Sequence, residues 1–458
     1  DKYLLYEAKT AGELSIPNRP SNIGDDYVVY VEDAANPDVN QVVGYRNGDT
    51  WYNKSGVEVS DPSASFGQGA GQVQPYLVNP NDKSLSSKVF KDYVPQINVM
   101  PRIAFSFPIS DVANFFAHYD ILTQRPTGNQ SIINPLNYYF MDAEANTPLI
   151  SNPNLKPQQT IDYELGFSQV LNERKNASLT ITSFYREMRN MINQRFVTGA
   201  YPKSYIMFDN IDFATTKGLS FVFDFRRTGG SRYSANYTLQ FAEGSGSSAN
   251  SGANLASSGT PNLRILQPLD FDQRHSFVLN YDYRFGSEKD YKGPTIKTKK
   301  GKVIQLFEDV GFNLSFILGS GTPYTRWNTA VPYGGNARSS IIGQINGSSK
   351  PWSYRGNLRI DKNIELSWGK KGEENKKTAN LNVYLQVLNV LNTRNILGVY
   401  NFTGNPSDDG YLTSTQAQAA LALANSANSF RDMYNISINQ PGNYSSPRQI
   451  RIGLMFNF

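Results

Sequence analysis

The residues that could do chemistry are few and far apart. The 458-residue chain has two histidines, His118 and His275, and no cysteine. A zinc hydrolase needs several converging nitrogen, sulfur or oxygen ligands. Both histidines instead stand in, or at the start of, alternating strand-like runs, so no metal and no cofactor is expected. Ser320 lies between Gly319 and Gly321, but nucleophilic serine chemistry needs a base, an orienting acid and a strand-to-helix elbow. None of these is legible around it. The carboxylates Asp162, Glu164, Asp282 and Asp361 each fall on the polar parity of an alternating run. A glycosidase pair needs a set separation that sequence does not give. The plainer reading is that these acids hydrate an interior or pair with Arg186, Arg274, Arg284 and Arg359. The acidic stretch Asn405 to Gly410 lacks the spacing of a calcium loop and reads as a solvated turn. The basic run Lys297 to Lys302, with Lys370, Lys371, Lys376 and Lys377, has no interleaved stacking aromatics, so nucleic acid is not expected. What remains is aromatic. Trp51, Tyr52, Tyr138, Tyr139, Trp327, Tyr400 and Tyr411 fall in loop-like segments, where ligand contacts concentrate. These residue types describe a binding protein rather than an enzyme.

Such loops need a frame, and the frame is a repeated strand. In 152–171, NPNLKPQQTIDYELGFSQVL, the residues Ile161, Tyr163, Leu165 and Phe167 alternate with Asp162, Glu164, Gly166 and Ser168. Side chains on a strand point to opposite faces in turn, so one face is apolar and the other wet. The pattern recurs from Val99 to the end: Ile103, Phe105, Phe107, Ile109; Phe115, Ala117, Tyr119, Ile121; Leu219, Phe221, Phe223, Phe225; Tyr233 to Phe241; Phe277 to Phe285; Phe312 to Leu318; Leu381 to Val387; and Ile450, Ile452, Leu454, Phe456, Phe458. Tyr and Phe number 28 and 26, and charged residues make up only 18%. No run of apolar residues is long enough for a spanning helix. The mean hydropathy of −0.47 does not exclude a membrane β-barrel, whose polar lumen face cancels its apolar outer face. Tyr119, Tyr163, Phe167, Tyr233, Phe285 and Phe458 would then form interfacial girdles. Asp1 is not preceded by a basic and apolar leader, so an exported protein of this kind is expected to be a processed or partial chain.

The connections give a direction. Short turns join the first and second, third and fourth, fifth and sixth, and ninth and tenth strands; the seventh-to-eighth connection fits poorly. The other connections are long. They include the segment between Met191 and Leu219, the Ser- and Gly-rich 244–259, and a last loop whose Ala-rich piece from Ser414 to Ala427 predicts a short helix capped by Ser414. Short turns on one side and long loops on the other are the asymmetry of outer-membrane barrels. About eleven strands are counted. Such barrels use even numbers, and an open edge cannot sit in hydrocarbon. The expected fold is therefore an all-β transmembrane antiparallel barrel, of which this chain is the C-terminal half of 22 strands. Residues 1–98 form a large extracellular loop region with one or two strands of its own, and residues 99–458 form the barrel half.

Several stretches resemble the TonB-dependent outer-membrane receptors. They are Asn152-Pro153-Asn154-Leu155-Lys156-Pro157 followed by Tyr163-Glu164-Leu165-Gly166, then Pro101 to Phe105, Lys217-Gly218-Leu219 and Asp272-Gln273-Arg274-His275. Gly319 to Tyr324, Leu388 to Asn392 and a final alternating strand ending on Phe458 complete the set. Gln158 stands where that family usually has Glu. The loop-rich pattern is most similar to the Oar-like and SusC-like receptors. The resemblance implies an integral protein of the bacterial outer membrane that imports a bulky, scarce nutrient: a siderophore, glycan or peptide. It also implies energy from a TonB–ExbB–ExbD complex acting on a plug outside this chain, contact with outer-membrane lipid and lipopolysaccharide, and a surface lipoprotein partner. The alternative is a structural or secretion-complex barrel that binds partner subunits without energised import. The implied assembly signal is the strand carrying Ile450, Ile452, Leu454, Phe456 and Phe458.

Overall fold

The computed structural model describes residues 2–66, 72–82, 84, 94–141, 147–259, 262, 264–299, 301–335, 340–368 and 377–457. Eleven antiparallel strands run in sequence order through one sheet: β1 (Arg102–Ser110), β2 (Ala113–Gln124), β3 (Gln158–Val170), β4 (Ala177–Val197), β5 (Tyr205–Thr228) and β6 (Ser231–Gly244). They continue as β7 (His275–Arg284), β8 (Val310–Gly319), β9 (Ser353–Trp368), β10 (Lys377–Leu388) and β11 (Gln449–Asn457). Two short strands, Leu149–Ile150 and Gln267–Pro268, attach to β5 and β6. Among the described residues, each long strand pairs with its neighbours in the chain, leaving β1 and β11 as the two edges.

Register aligns the apolar rows. Phe107, Phe115, Phe167, Ile181, Phe221, Tyr237, Phe277, Leu318 and Tyr354 lie opposite one another from β1 to β9. A one-residue slip in any strand would send its row to the other face, so the alternation fixes the pairing. This apolar face is turned outward: Leu165 is 57% exposed and Phe105 55%. The opposite face carries the ions. Arg186 reaches Asp162 and Glu164 at 2.9 Å each, and Arg284 reaches Asp361 at 2.7 Å. Asp282 pairs with Arg227, and Arg274 with Asp272 at 2.8 Å. The expected carboxylate–arginine pairing thus holds, with partners partly exchanged. Arg359 instead lies 4.2 Å over the Tyr384 ring.

The turn between β1 and β2, the loop 171–176 and the two-residue turn at Gly229 and Gly230 share one end. The β7–β8 connection, 285–309, joins them there and carries its own hairpin, Thr295–Lys297 with Val303–Gln305. Lys297 and Lys302 sit on that hairpin. Lys300, Lys370, Lys371 and Lys376 lie outside the described residues, as does Phe458. The connections 125–157, 245–274, 320–352 and 389–448 share the other end, the loop end. One expected loop is not a loop. β4 and β5 continue past the expected limits, to Val197 and back from Tyr205, with only 198–204 between them. Register shifts at Asn210, Asp212 and Ala214 and a left-handed Asn190 break the phase of the alternation there.

Residues of the first segment form a separate four-stranded sheet: Val28–Val31, Val42–Asn47, Thr50–Asn53 and Glu58–Val59. Its core holds Val29, Tyr30, Tyr45, Trp51, Phe66 and Val73. Tyr30 is wholly buried, its hydroxyl accepts from Arg46 Nε at 2.9 Å, and burial pushes that hydroxyl up to about 12. The segment docks on the β4–β5 tip. The Leu5 amide donates to Tyr201 O and the Tyr201 amide to Tyr3 O, while Gly199, at φ +76°, lies against Trp51.

Candidate ligand-binding end

The motifs singled out in the sequence become the joints of the loop end. Asn152 turns its own loop, accepting from the Asn154 amide at 3.0 Å, and its Nδ2 donates to Phe208 O at 2.9 Å. Leu155 packs with Ile192 and Phe208, and Asn210 clamps both the N–H and the carbonyl of Lys156. The NPNLKP stretch is therefore a buckle between the β2–β3 loop and the β4–β5 hairpin. In the same way Asn389, left-handed and buried, closes the turn after β10: its side chain donates to Thr393 O and Ser446 O and accepts from the Thr393 amide.

Ser320 and His275 are neighbours, yet not as nucleophile and base. Ser320 Oγ accepts from the His275 backbone N–H at 3.0 Å. The imidazole points elsewhere, bonded through Nδ1 to the Tyr237 hydroxyl at 2.9 Å and stacked on Trp352. His118 sits on β2 beside Phe116. No group of three metal-capable side chains gathers among the described residues.

The loop aromatics divide into two kinds. Tyr139 is 71% exposed; Tyr52, Tyr138 and Trp327 are partly buried. Trp51, Tyr400 and Tyr411, expected with the other loop aromatics to contact ligand, are buried. Trp51 packs between Tyr3, Tyr30 and Phe66. Tyr400 and Tyr411 pack with Ala417, Tyr434 and Ile438 in a core inside the last loop. That core is built on the expected helix, α1 (Thr415–Leu423), which Ser414 caps by accepting from the Ala417 amide, and on a second helix, α2 (Ala427–Ile438), which the sequence reading missed. Its signal was Ser426, whose hydroxyl caps it.

Asp409 is the knot of this core and is buried, which corrects the solvated reading at that residue, while Asn405, Ser407 and Asp408 of the same turn are exposed. It accepts from the Tyr434 hydroxyl at 2.5 Å and from the amides of Tyr333 and Tyr411 at 3.0 Å each. A buried carboxylate is tolerable only when so bonded. Burial, and after it the bond to Asp409, holds the Tyr434 hydroxyl well above the usual tyrosine range; burial also raises the Tyr400 hydroxyl. The β8–β9 loop, through Tyr333, is thereby fixed to the β10–β11 loop. Trp327, Tyr333, Tyr400 and Phe402 wall a cavity of about 200 Å³ between them. A larger cleft, about 420 Å³, opens where the NPN turn meets the β4–β5 hairpin, lined by Tyr138, Asn152, Arg195, Asp209 and Lys2.

An outward apolar face on this scale has a physical meaning. Phe105, Phe107, Leu165, Ile452 and Leu454, all on the apolar rows of the sheet, are each more than half exposed. Soluble proteins do not leave such a face to water, and a sheet with an apolar outside and an ionic inside is what hydrocarbon requires of a spanning strand. The class is that of outer-membrane β-barrels. Residues 9–302 match the family model "TonB dependent receptor-like, beta-barrel", and the chain belongs to that family, one of receptors rather than enzymes. No curated protein matches in sequence. Among solved structures the chain is similar to FpvA of P. aeruginosa bound to heterologous pyoverdines, at 12% identity over 78% of this chain and 32% of that one, TM-score 0.43. It is also similar to the outer-membrane transporter YddB of Escherichia coli, at 12% over 66% and 38%, TM-score 0.42. A third is the ferric yersiniabactin uptake receptor FyuA of Yersinia pestis, at 12% over 65% and 33%, TM-score 0.35. The chain thus spans about a third of the length of the structures it resembles.

Proposed function

We propose that the chain is the C-terminal wall and outer surface of a TonB-dependent transporter that imports a bulky, scarce nutrient, whether siderophore, glycan or peptide. In this reading β1 and β11 close on eleven further strands to give 22, since neither edge can face hydrocarbon unpaired. Residues 1–98 are a folded extracellular loop region and 99–458 the barrel half. TonB–ExbB–ExbD acts through a plug contributed by the rest of the protein, and the apolar face contacts outer-membrane lipid and lipopolysaccharide. The reading includes an Oar-like or SusC-like receptor with a surface lipoprotein capping the loop end, and the long loops, above all 389–448, support it. Ligand contacts fall to Tyr139, Tyr138, Tyr52 and Trp327, the loop aromatics that keep exposed surface.

The observation that carries this reading is the family match across 9–302 on a sheet whose loops are bound into clefts at one end. The test is growth of the host on limiting ferric siderophore, oligosaccharide or oligopeptide, with the receptor gene or TonB deleted. A defect confined to one nutrient class and reproduced by loss of TonB supports import. If deletion strips a partner from the surface with no nutrient defect, the structural reading takes its place.

A further inference from the structure

The β7–β8 connection, 285–309, breaks the short-turn rule of its end, and it carries a basic run to which import gives no task. From Lys292 to Leu306 the sequence has five lysines (Lys292, Lys297, Lys299, Lys300 and Lys302) and no Asp or Glu. Lys292, Lys297, Lys299 and Lys302 are exposed and form no ion pair among the described residues. The folded part is a two-stranded hairpin in which Ile296 stands opposite Ile304 and Lys297 opposite Val303. The Leu306 amide donates to Pro294 O at 3.2 Å, which extends the same register by one pair. Residues opposite each other, and residues two apart, share a face. Ile296, Ile304 and Leu306 therefore make one apolar face, and they are 51%, 44% and 42% exposed. A lone hairpin has no second layer with which to bury such a face.

The root of the hairpin shows on which side of the wall it stands. The Phe285 and Phe307 rings stack with centroids 5.4 Å apart, and both lie against Phe312, at 6.1 and 6.4 Å. Phe312 stands opposite Tyr283 and Ile360 and belongs to the outward row of β8. The Tyr291 hydroxyl fixes this root, donating to Pro294 O at 2.7 Å and accepting from the Phe307 amide at 3.1 Å. The hairpin thus leaves the wall on its lipid side, at the level where aromatic rings meet headgroups. Neither β7 nor β8 is an edge strand, so strands that close the barrel at β1 and β11 do not pass over it.

We propose that this hairpin is a foot on the periplasmic leaflet, the side that short turns face in barrels of this class. Its lysines receive the phosphates of anionic phospholipids, and Ile296, Ile304 and Leu306 enter the boundary between headgroups and acyl chains. Clustered lysines beside an apolar face are the chemistry that binds a negatively charged membrane surface. The inference rests on the barrel's place in the outer membrane and on nothing in import. It is read in purified receptor without TonB, so a failed import reading leaves it standing.

The test places a nitroxide at Ile304→Cys in the full-length receptor, in a background without other cysteines, and reads its collisions with oxygen and with a water-soluble nickel chelate. The receptor is held in detergent, in nanodiscs of phosphatidylcholine, and in nanodiscs of a two-to-one mixture with phosphatidylglycerol. The nitroxide is expected to be several-fold less open to nickel, and more open to oxygen, in the mixture than in either other setting. A nitroxide at Thr295→Cys, on the opposite face, is expected to stay open to nickel throughout. Lys297→Gln with Lys302→Gln is expected to restore nickel access at 304, in line with about 5-fold weaker surface binding for each lysine lost. Shielding at 304 that is the same in detergent as in lipid would mean that the rest of the receptor covers the face. Nickel access that ignores lipid charge, or shielding that survives loss of both lysines, would equally overturn the assignment.

Discussion

The wall and the loop end of this molecule are stabilised by opposite means. In the wall each residue's role follows from its parity: odd or even decides lipid or lumen, and the backbone ladder does the rest. At the loop end parity means nothing. There the chain is held by small cores and by single polar side chains that satisfy buried backbone groups, as Asn152, Asn389 and Asp409 do. A wall tolerates many sequences that keep the alternation, whereas a loop end depends on individual residues. Substitutions in the two regions should therefore fail differently.

The largest effect is expected in the small sheet. Trp51→Ala empties the center of its core, and Trp-to-Ala changes in cores cost about 3–5 kcal/mol. The prediction is protease cleavage within residues 2–66 while the barrel keeps its heat-resistant mobility on a gel. Loss of that mobility as well would mean that the two regions are not independent. A wall substitution comes next. Phe167→Arg puts a charge into the outward row, at about 2–4 kcal/mol if it lies near the midplane, and is expected to reduce the amount of assembled protein in outer-membrane fractions. The lumen-side neighbour Ser168→Arg, of the same size and charge, is expected to assemble normally. If both assemble equally, the outward face is not a lipid face. More local in its reach is Asp409→Leu, which orphans the amides of Tyr333 and Tyr411 at roughly 1–3 kcal/mol each. Faster hydrogen exchange in 389–448, with no change in β1 to β11, is the expected readout.

The same contrast explains what was legible in the sequence. The eleven strands could be counted because hydrocarbon leaves the outer row no choice but apolar side chains. Phe115, Phe167 and Phe221 announce their face without any knowledge of partners. The upper β4–β5 hairpin was misread because it stands where that rule lapses. Asn193 and Asp212 are polar and buried there, and the paired register shifts between Asn210 and Ala214 interrupt the alternation. The burial of Trp51, Tyr400 and Tyr411 was not legible for a related reason. A small sheet or a long loop must bury something to hold a shape, and aromatics bury the most area per residue. Asp409 was taken for a solvated acid because its partners, Tyr333 and Tyr434, are far from it in sequence.

The mildest prediction separates the regions without a mutation. In the loop core the Tyr434 hydroxyl is held above its ordinary value of 10.0 by burial and by Asp409. A hydroxyl whose folded value is raised stays protonated in the native loop at pH where the opened loop has already lost its proton. The opened state therefore binds fewer protons, and stability falls with rising pH. The contribution is fully present below pH 10 and is lost progressively above it. Hydrogen exchange in α2 and around Tyr333 is expected to accelerate above that pH, while β3 and β4, whose ladder contains no comparable buried phenol–carboxylate bond among the described residues, hold their protection. Tyr434→Phe removes the titrating group and should flatten this dependence at the cost of a slightly looser loop at neutral pH. An unchanged pH dependence in Tyr434→Phe would show that the loop end opens for another reason, and that Asp409 is not the group on which its order depends.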